Sequence, residues 1–149
     1  MNERFMRIAL EEARAAAAEG EIPVGAVIVK DGEVIAQAHN RRENDHDPTA
    51  HAEVLCMRRA ALALGDWRLR GCTLYVTLEP CPMCAGAMVM SQLTGCVFGA
   101  ADDKQGCCGS VYDLPGDPAL TGTTKWQAGV MAEECEEMMR TFFAGRRQQ

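Results

Sequence analysis

At 149 residues the chain is long enough for one domain with a sizeable core and too short for two ordinary ones. Hydrophobic residues make up 48% of it and the formal net charge is -6, a balance that folds without staples, argues against a generic phosphate-binding surface and makes DNA an unexpected partner. No apolar run approaches the ~18 residues of a membrane span. The stretch MNERFMRIALEEAR is charged throughout, unlike a signal peptide, so the eight cysteines point to the reducing cytoplasm rather than to disulfides.

Glu3 to Glu19 predicts a helix, because Phe5, Ile8, Ala9, Ala13, Ala16 and Ala17 recur at spacings of three and four and Gly20 supplies a stop. Its alanines predict close packing on a sheet. Val24 to Val29 is a nearly continuous apolar run and reads as a strand buried on both faces. Lys30-Asp31-Gly32-Glu33 follows as a tight turn, Asp-Gly being a favoured hairpin pair, and Val34 to Ala38 returns. His39 to Pro48 is polar and reads as a loop. Within it, Asn40 offers an amide that can pair with a base edge or bond its own backbone as a turn residue. Arg41 and Arg42 read either as solvated charge or as phosphate contacts; His46 reads as a loop residue. Thr49 is the expected N-cap of a helix running to about Leu64, with Gly65 closing it.

Cys72 to Leu78 is rich in β-branched and aromatic types and reads as the central strand. Pro80 and Pro82 sit where a helix start tolerates them, Cys81 and Cys84 then share one face of its first turn, and Ala85-Gly86-Ala87 allows close approach to a sheet. Gly95 to Gly99 predicts another buried strand. Ala101 to Thr123, punctuated by glycine and proline, is a long loop of the kind that more often has a function than not. Cys107-Cys108 lies in it, but adjacent thiols without a nearby histidine are poor chelators, and Cys56, Cys72, Cys96 and Cys135 read as small core residues. Lys125 to Gly129 predicts a short last strand. Ala132 to Ala144 predicts an amphipathic helix whose Met138, Met139, Phe142 and Phe143 read as core, capped by Gly145, with Arg146 and Arg147 as a basic tip.

The chemistry concentrates in His51-Ala52-Glu53 and Pro80-Cys81-Pro82-Met83-Cys84. One imidazole and two potential thiolates form a soft ligand set suited to Zn²⁺, and three protein ligands leave the fourth tetrahedral position for water, as in catalytic sites. Glu53 is placed to move a proton. A lone C-x-x-C is also compatible with a redox pair or half of a structural zinc site, but H-x-E followed by P-C-x-x-C is the pattern of zinc nucleobase deaminases, whose glutamate is the general acid and base. Two helix N-termini meeting at the metal would favour thiolate there.

The order strand, hairpin, His-bearing helix, strand, Cys-bearing helix, strand and final helix resembles the cytidine-deaminase-like fold. That fold is an α/β, three-layer α/β/α sandwich on a mixed five-stranded sheet, here expected as one zinc-dependent domain over residues 1–149. The stretches EIPVGAVIV, DPTAHAEV, LYVTLEPCPMCAGAM and VFGA resemble the bacterial tRNA adenosine deaminase family, which converts wobble adenosine to inosine. The resemblance implies one Zn²⁺ per subunit on His51, Cys81 and Cys84, with Glu53 as proton shuttle, Asn40 at the base and Ser110 near the substrate groove. It also implies a homodimer across which the tRNA anticodon loop lies. Arg146 and Arg147, with Arg41 and Arg42, are the cations expected on phosphate. The chain differs from the family at Gln92 and Ala101, where basic residues are usual, and at Thr121-Gly122-Thr123, where an Asn-His pair is usual. Two other functions fit parts of the pattern: deamination of a free base or nucleoside such as guanine or cytosine, and a zinc-stabilised RNA-binding module without turnover. The second has no need of Glu53.

Overall fold

The computed structural model describes residues 2–147, the side chain of Arg147 being among those outside the description. In chain order the elements are α1 (Asn2–Ala18), β1 (Gly25–Lys30), β2 (Glu33–His39), α2 (Ala52–Leu64), β3 (Cys72–Leu78), α3 (Pro82–Met90), β4 (Gly95–Ala100), β5 (Lys125–Gln127) and α4 (Ala132–Arg147). No helix among the described residues is long and apolar enough to cross a membrane.

The five strands form one sheet in the order β2-β1-β3-β4-β5. β1 runs antiparallel to both β2 and β3, whereas β3, β4 and β5 are parallel, so the sheet is mixed. Asp31 and Gly32 both take positive φ, 52° and 79°, which is the twist a two-residue hairpin needs between right-handed strands. The central strands alternate between two cores because successive side chains point to opposite faces. Ala26, Ile28, Leu74, Val76, Cys96 and Phe98 join α2 and α3 on one face. Val27, Val29, Tyr75 and Val97 join α1 and α4 on the other. Three layers follow directly from that alternation, as expected. Burying each large side chain of this kind contributes about 1.5–3 kcal/mol.

The alanines of α1 do what their size predicts. Ala9, Ala13 and Ala16 are fully buried, and Gly25 passes so close that a Cβ there would lie 2.0 Å from the Ala9 carbonyl oxygen. Three local expectations fail for identifiable reasons. Thr49 does not cap α2: its hydroxyl and its backbone N–H both donate to Asp47 Oδ1, at 2.7 and 2.8 Å, and His51 takes the N-cap position instead. Gly145 does not end α4, which runs on to Arg147; Gly145 is not among the glycines with positive φ, so it never makes the left-handed turn that a glycine stop requires. The last strand stops at Gln127 rather than Gly129, because Gly129 turns to positive φ (85°) and donates its N–H to Phe98 O.

Candidate metal centre and active-site cleft

His51 and Cys81 are the N-cap residues of α2 and α3, and neither side chain makes a capping hydrogen bond. Both are therefore free to point at a common target. Cys84 lies in the first turn of α3 and is buried. His51 Nδ1 stands 3.5 Å from the Sγ of Cys81 and 3.5 Å from that of Cys84, and all three ligand atoms lie within 4.8 Å of one another. Zinc bonds of about 2.3 Å to sulfur and 2.0–2.1 Å to nitrogen, opened to the tetrahedral angle, require a nitrogen–sulfur separation of about 3.6 Å. The residues present thus fit zinc in chemistry and in spacing. Among the described residues no other group of histidine, cysteine and carboxylate side chains could hold a metal, and Cys107 and Cys108 are buried without forming one.

The electrostatics favour a thiolate at Cys81. Cys81 is held down to about 4, first by the hydrogen bond from the Cys84 thiol and then by His51 beside it. Cys84 is pushed up because it donates that hydrogen bond and is buried. The Cys81 thiolate in turn raises His51. Glu53 is only 4% exposed, and burial pushes its carboxyl up to about 7, in the range where a group can both take and give a proton near neutrality.

His51, Glu53 and Cys81 form the floor of a cleft of ≈ 390 Å³. Its walls come from Ile22, Val24, Asn40 and Arg42 on one side, Leu78 and Glu79 beside the ligand turn, Asp102, Lys104 and Gln105 from the long loop, and Met139 and Phe143 from α4. Asn40 is among the residues lining the cleft, and it is also a turn residue. Its Oδ1 accepts from the Arg42 N–H at 3.2 Å and its Nδ2 donates to Ile22 O at 3.3 Å. Both ends of the Asn40 amide are thus held by backbone of its own neighbourhood.

Other expected contacts fall elsewhere. Ser110 is exposed and does not line the cleft; its hydroxyl donates to Glu79 Oε1 at 2.5 Å. Arg41 is spent on Glu19 and Asp45, at 2.8 and 3.1 Å, which leaves Arg42 as the cation of that loop in the cleft. Arg146 is exposed, its guanidinium 5.0 Å from the centre of the Phe142 ring, and the Arg147 side chain lies outside the described residues. Gln92 accepts from Arg70 Nε at 2.6 Å, so a cation stands beside that position although the residue itself is neutral.

Several wall residues escaped sequence reasoning. Met139 and Phe143 share an i, i+4 stripe that looks identical to a core stripe, yet both are only half-buried and face the cleft. Lys104 and Gln105 carried no pattern beyond membership of a long loop. Glu79 and Glu21 are fully buried carboxylates whose partners are far along the chain. At Glu21, burial opposes the charge, but the Asn44 and Glu43 N–H groups and the Asn44 amide hold the carboxyl below its ordinary 4.5. Their distances are 2.7, 3.1 and 2.6 Å, and they pin the 40–50 loop to the turn that follows α1.

On this sandwich, a three-ligand soft-donor cluster with a buried carboxylate beside it is the arrangement of a hydrolytic zinc deaminase. Residues 1–100 match the family model described as the cytidine and deoxycytidylate deaminase zinc-binding region. The chain is similar to the tRNA-specific adenosine deaminase of Bacillus subtilis (strain 168), 49% identical over 142 residues that span 95% of this chain and 88% of the relative. A solved structure from a study of A-to-I editing by tRNA:A34 deaminases at the wobble position of transfer RNA superposes with a TM-score of 0.88, at 42% identity, covering 91% of this chain and 98% of that one. A guanine deaminase from Nitrosomonas europaea shares the fold at 25% identity, with a TM-score of 0.84 over 95% of this chain and 84% of that one. The chain belongs to the tRNA-specific adenosine deaminase family, within the larger zinc-dependent deaminase family.

Proposed function

We propose that the chain hydrolyses the amino group of adenosine at the wobble position of tRNA, giving inosine and ammonia, with Glu53 as the proton carrier. The observation that carries this reading is the pairing of a zinc-fitting His51-Cys81-Cys84 cluster with a buried carboxyl in one cleft, on a chain whose relatives are tRNA-specific adenosine deaminases. His51, Cys81 and Cys84 would hold zinc, which when bound would supply the Lewis acidity that lowers the pKa of water toward neutrality. Glu53 takes the proton of the attacking water as its oxygen adds to the purine carbon that bears the amine. It delivers that proton to the adjacent ring nitrogen, then takes the proton of the newly added hydroxyl and passes it to the amine as the C–N bond breaks and the carbonyl forms, so that water and adenosine become inosine and ammonia. The walls orient the base. Asn40 presents a fixed amide, Phe143 and Met139 an apolar surface, and Arg42 and Lys104 positive charge for the flanking phosphates. An unpaired loop base splayed into a pocket is the usual target of sequence-specific RNA recognition.

The cytoplasm is the proposed location, in keeping with eight cysteines that are all free thiols. A homodimer is also proposed. The family resemblance motivates it, and Leu62, Trp67 and Met90 support it with exposures of 83, 56 and 74%. They lie towards the C-terminal ends of α2 and α3, where Leu69 N–H donates to Ser91 O at 2.8 Å. Met88, by contrast, is fully buried and belongs to the core. Light scattering at micromolar concentration tests it, and a monomer would remove the shared RNA groove.

Ammonia release across a panel of anticodon stem-loop, adenosine, cytosine and guanine tests the substrate. Turnover of the stem-loop alone is the expected result. Efficient turnover of guanine with none of the stem-loop would place the chain functionally with the guanine deaminase instead.

A further inference from the structure

Glu79 closes β3 and precedes the Pro80-Cys81 turn, and it is 2% exposed. A carboxylate is retained in such a place only where its lone pairs are occupied. Here Oε1 accepts from Asp102 N at 3.0 Å and Ser110 Oγ at 2.5 Å, and Oε2 accepts from Cys108 N at 2.9 Å and Ser110 N at 3.1 Å. All four donors belong to one segment, 23 to 31 residues downstream. The backbones are joined as well: Glu79 N–H donates to Ala100 O and Cys107 N–H to Pro80 O, both at 2.8 Å. Gly106 completes the fit, since a Cβ there would lie 2.3 Å from the Glu79 carboxyl carbon. Between the fastened positions 102 and 108 sit Lys104 and Gln105, which line the cleft.

We propose that Glu79 is a positioning residue for substrate: it latches the 102–110 segment to the turn that carries Cys81, so that Lys104 and Gln105 are held in a set register to the zinc floor. Glu79 itself moves no proton, because both its oxygens are occupied by the latch. The proposal deepens the tRNA reading and rests on it only for the identity of what Lys104 and Gln105 touch. A residue that merely supported the Cys81 ligand would show itself in the metal; one that sets the loop shows itself in substrate binding.

Two variants attack the contact from opposite sides in the zinc-loaded protein. Glu79→Gln keeps the shape but turns an NH₂ toward backbone N–H donors, and Gly106→Ala wedges the loop away while leaving the carboxylate intact. Metal content, amide hydrogen exchange of residues 102–110, and KM and kcat on an anticodon stem-loop are measured for each. The expected result is one zinc per chain, exchange of the Asp102, Cys108 and Ser110 amides faster by on the order of tenfold or more, and KM raised by on the order of tenfold with kcat much less affected. Loss of zinc, or a fall in kcat at constant KM, would instead make Glu79 a support of the ligand turn and overturn the proposal, as would parental exchange rates. Should Glu79→Gln not fold, Gly106→Ala carries the same measurements. Exchange requires no substrate, so it judges the latch even if the parent protein ignores the stem-loop, an outcome that would sink the tRNA reading alone.

Discussion

Replacing Glu53 by glutamine is expected to leave metal and fold in place and to abolish nearly all turnover. The size of the loss follows from what else the cleft holds. Glu79 has both oxygens occupied by loop donors, Asp102 Oδ1 accepts the Lys104 and Gln105 N–H groups at 3.0 and 3.2 Å, and His51 Nδ1 faces the two sulfurs. No lining carboxylate is therefore placed to take over. General acid–base catalysis is worth roughly 10²–10⁴-fold, or about 3–5 kcal/mol of barrier. One carboxylate serving both water deprotonation and ammonia departure belongs at the upper end. Because the side chain is buried and glutamine has its shape, no cavity opens and the melting temperature should hold. Single-turnover inosine formation on a stem-loop, run beside metal analysis, makes the measurement. A fully zinc-loaded glutamine enzyme within tenfold of the parent would refute Glu53 as the proton carrier.

Four further outcomes are expected. His51→Ala and Cys81→Ser should each lose zinc by elemental analysis and melt at lower temperature, since metal binding there also fastens α2 to α3; a folded variant keeping a full zinc would exclude that ligand. Glu21→Gln should destabilise the protein near neutral pH by about 1–3 kcal/mol. The folded carboxyl lies below its ordinary 4.5, so its contribution is present above that value and fades as pH falls through the folded one. Parent and variant denaturation midpoints should therefore converge in acid, and a gap that stays undiminished as the pH is lowered would contradict the assignment. Gly25→Ala forces a methyl against Ala9 O and Ala13 N at 2.0 and 2.5 Å, and should lower stability by about 1–3 kcal/mol or more; an unchanged urea midpoint would show that α1 yields without penalty. Removing Arg146 and Arg147 together should flatten the salt dependence of stem-loop binding by roughly 0.7 in log–log slope per lost phosphate contact, and an identical slope would leave them as a solvated tip.

The elements were legible because periodicity and punctuation agreed: the alanine stripe of α1, the two-faced apolar run of β1 and the Asp31-Gly32 turn all reappear in the structure. The metal centre was legible because ligand types and spacing are chemically specific. What stayed hidden depends on side chains meeting backbone across long sequence intervals. Nothing local marks Glu79 as buried, because its donors arrive with a loop more than twenty residues later. Thr49 was misread because a competing acceptor, Asp47, stands two residues before it. Phe143 was misread because helical spacing tells which residues share a face but not whether that face meets a core or a cleft.

The cleft divides labour in a way that bears on how such enzymes diversify. The candidate ligands His51, Cys81 and Cys84 come from two helix starts, whereas much of the cleft wall comes from the 40–50 loop, the 102–110 segment and α4, none of which supplies a candidate ligand. The 40–50 loop and α4 hold no candidate ligand, whereas the 102–110 segment is tied by Glu79 and Pro80 to the turn that carries Cys81. The walls can thus differ with the heterocycle they receive while the three candidate ligands stay the same. A guanine deaminase shares this fold at 25% identity, the same architecture serving a different aminated heterocycle.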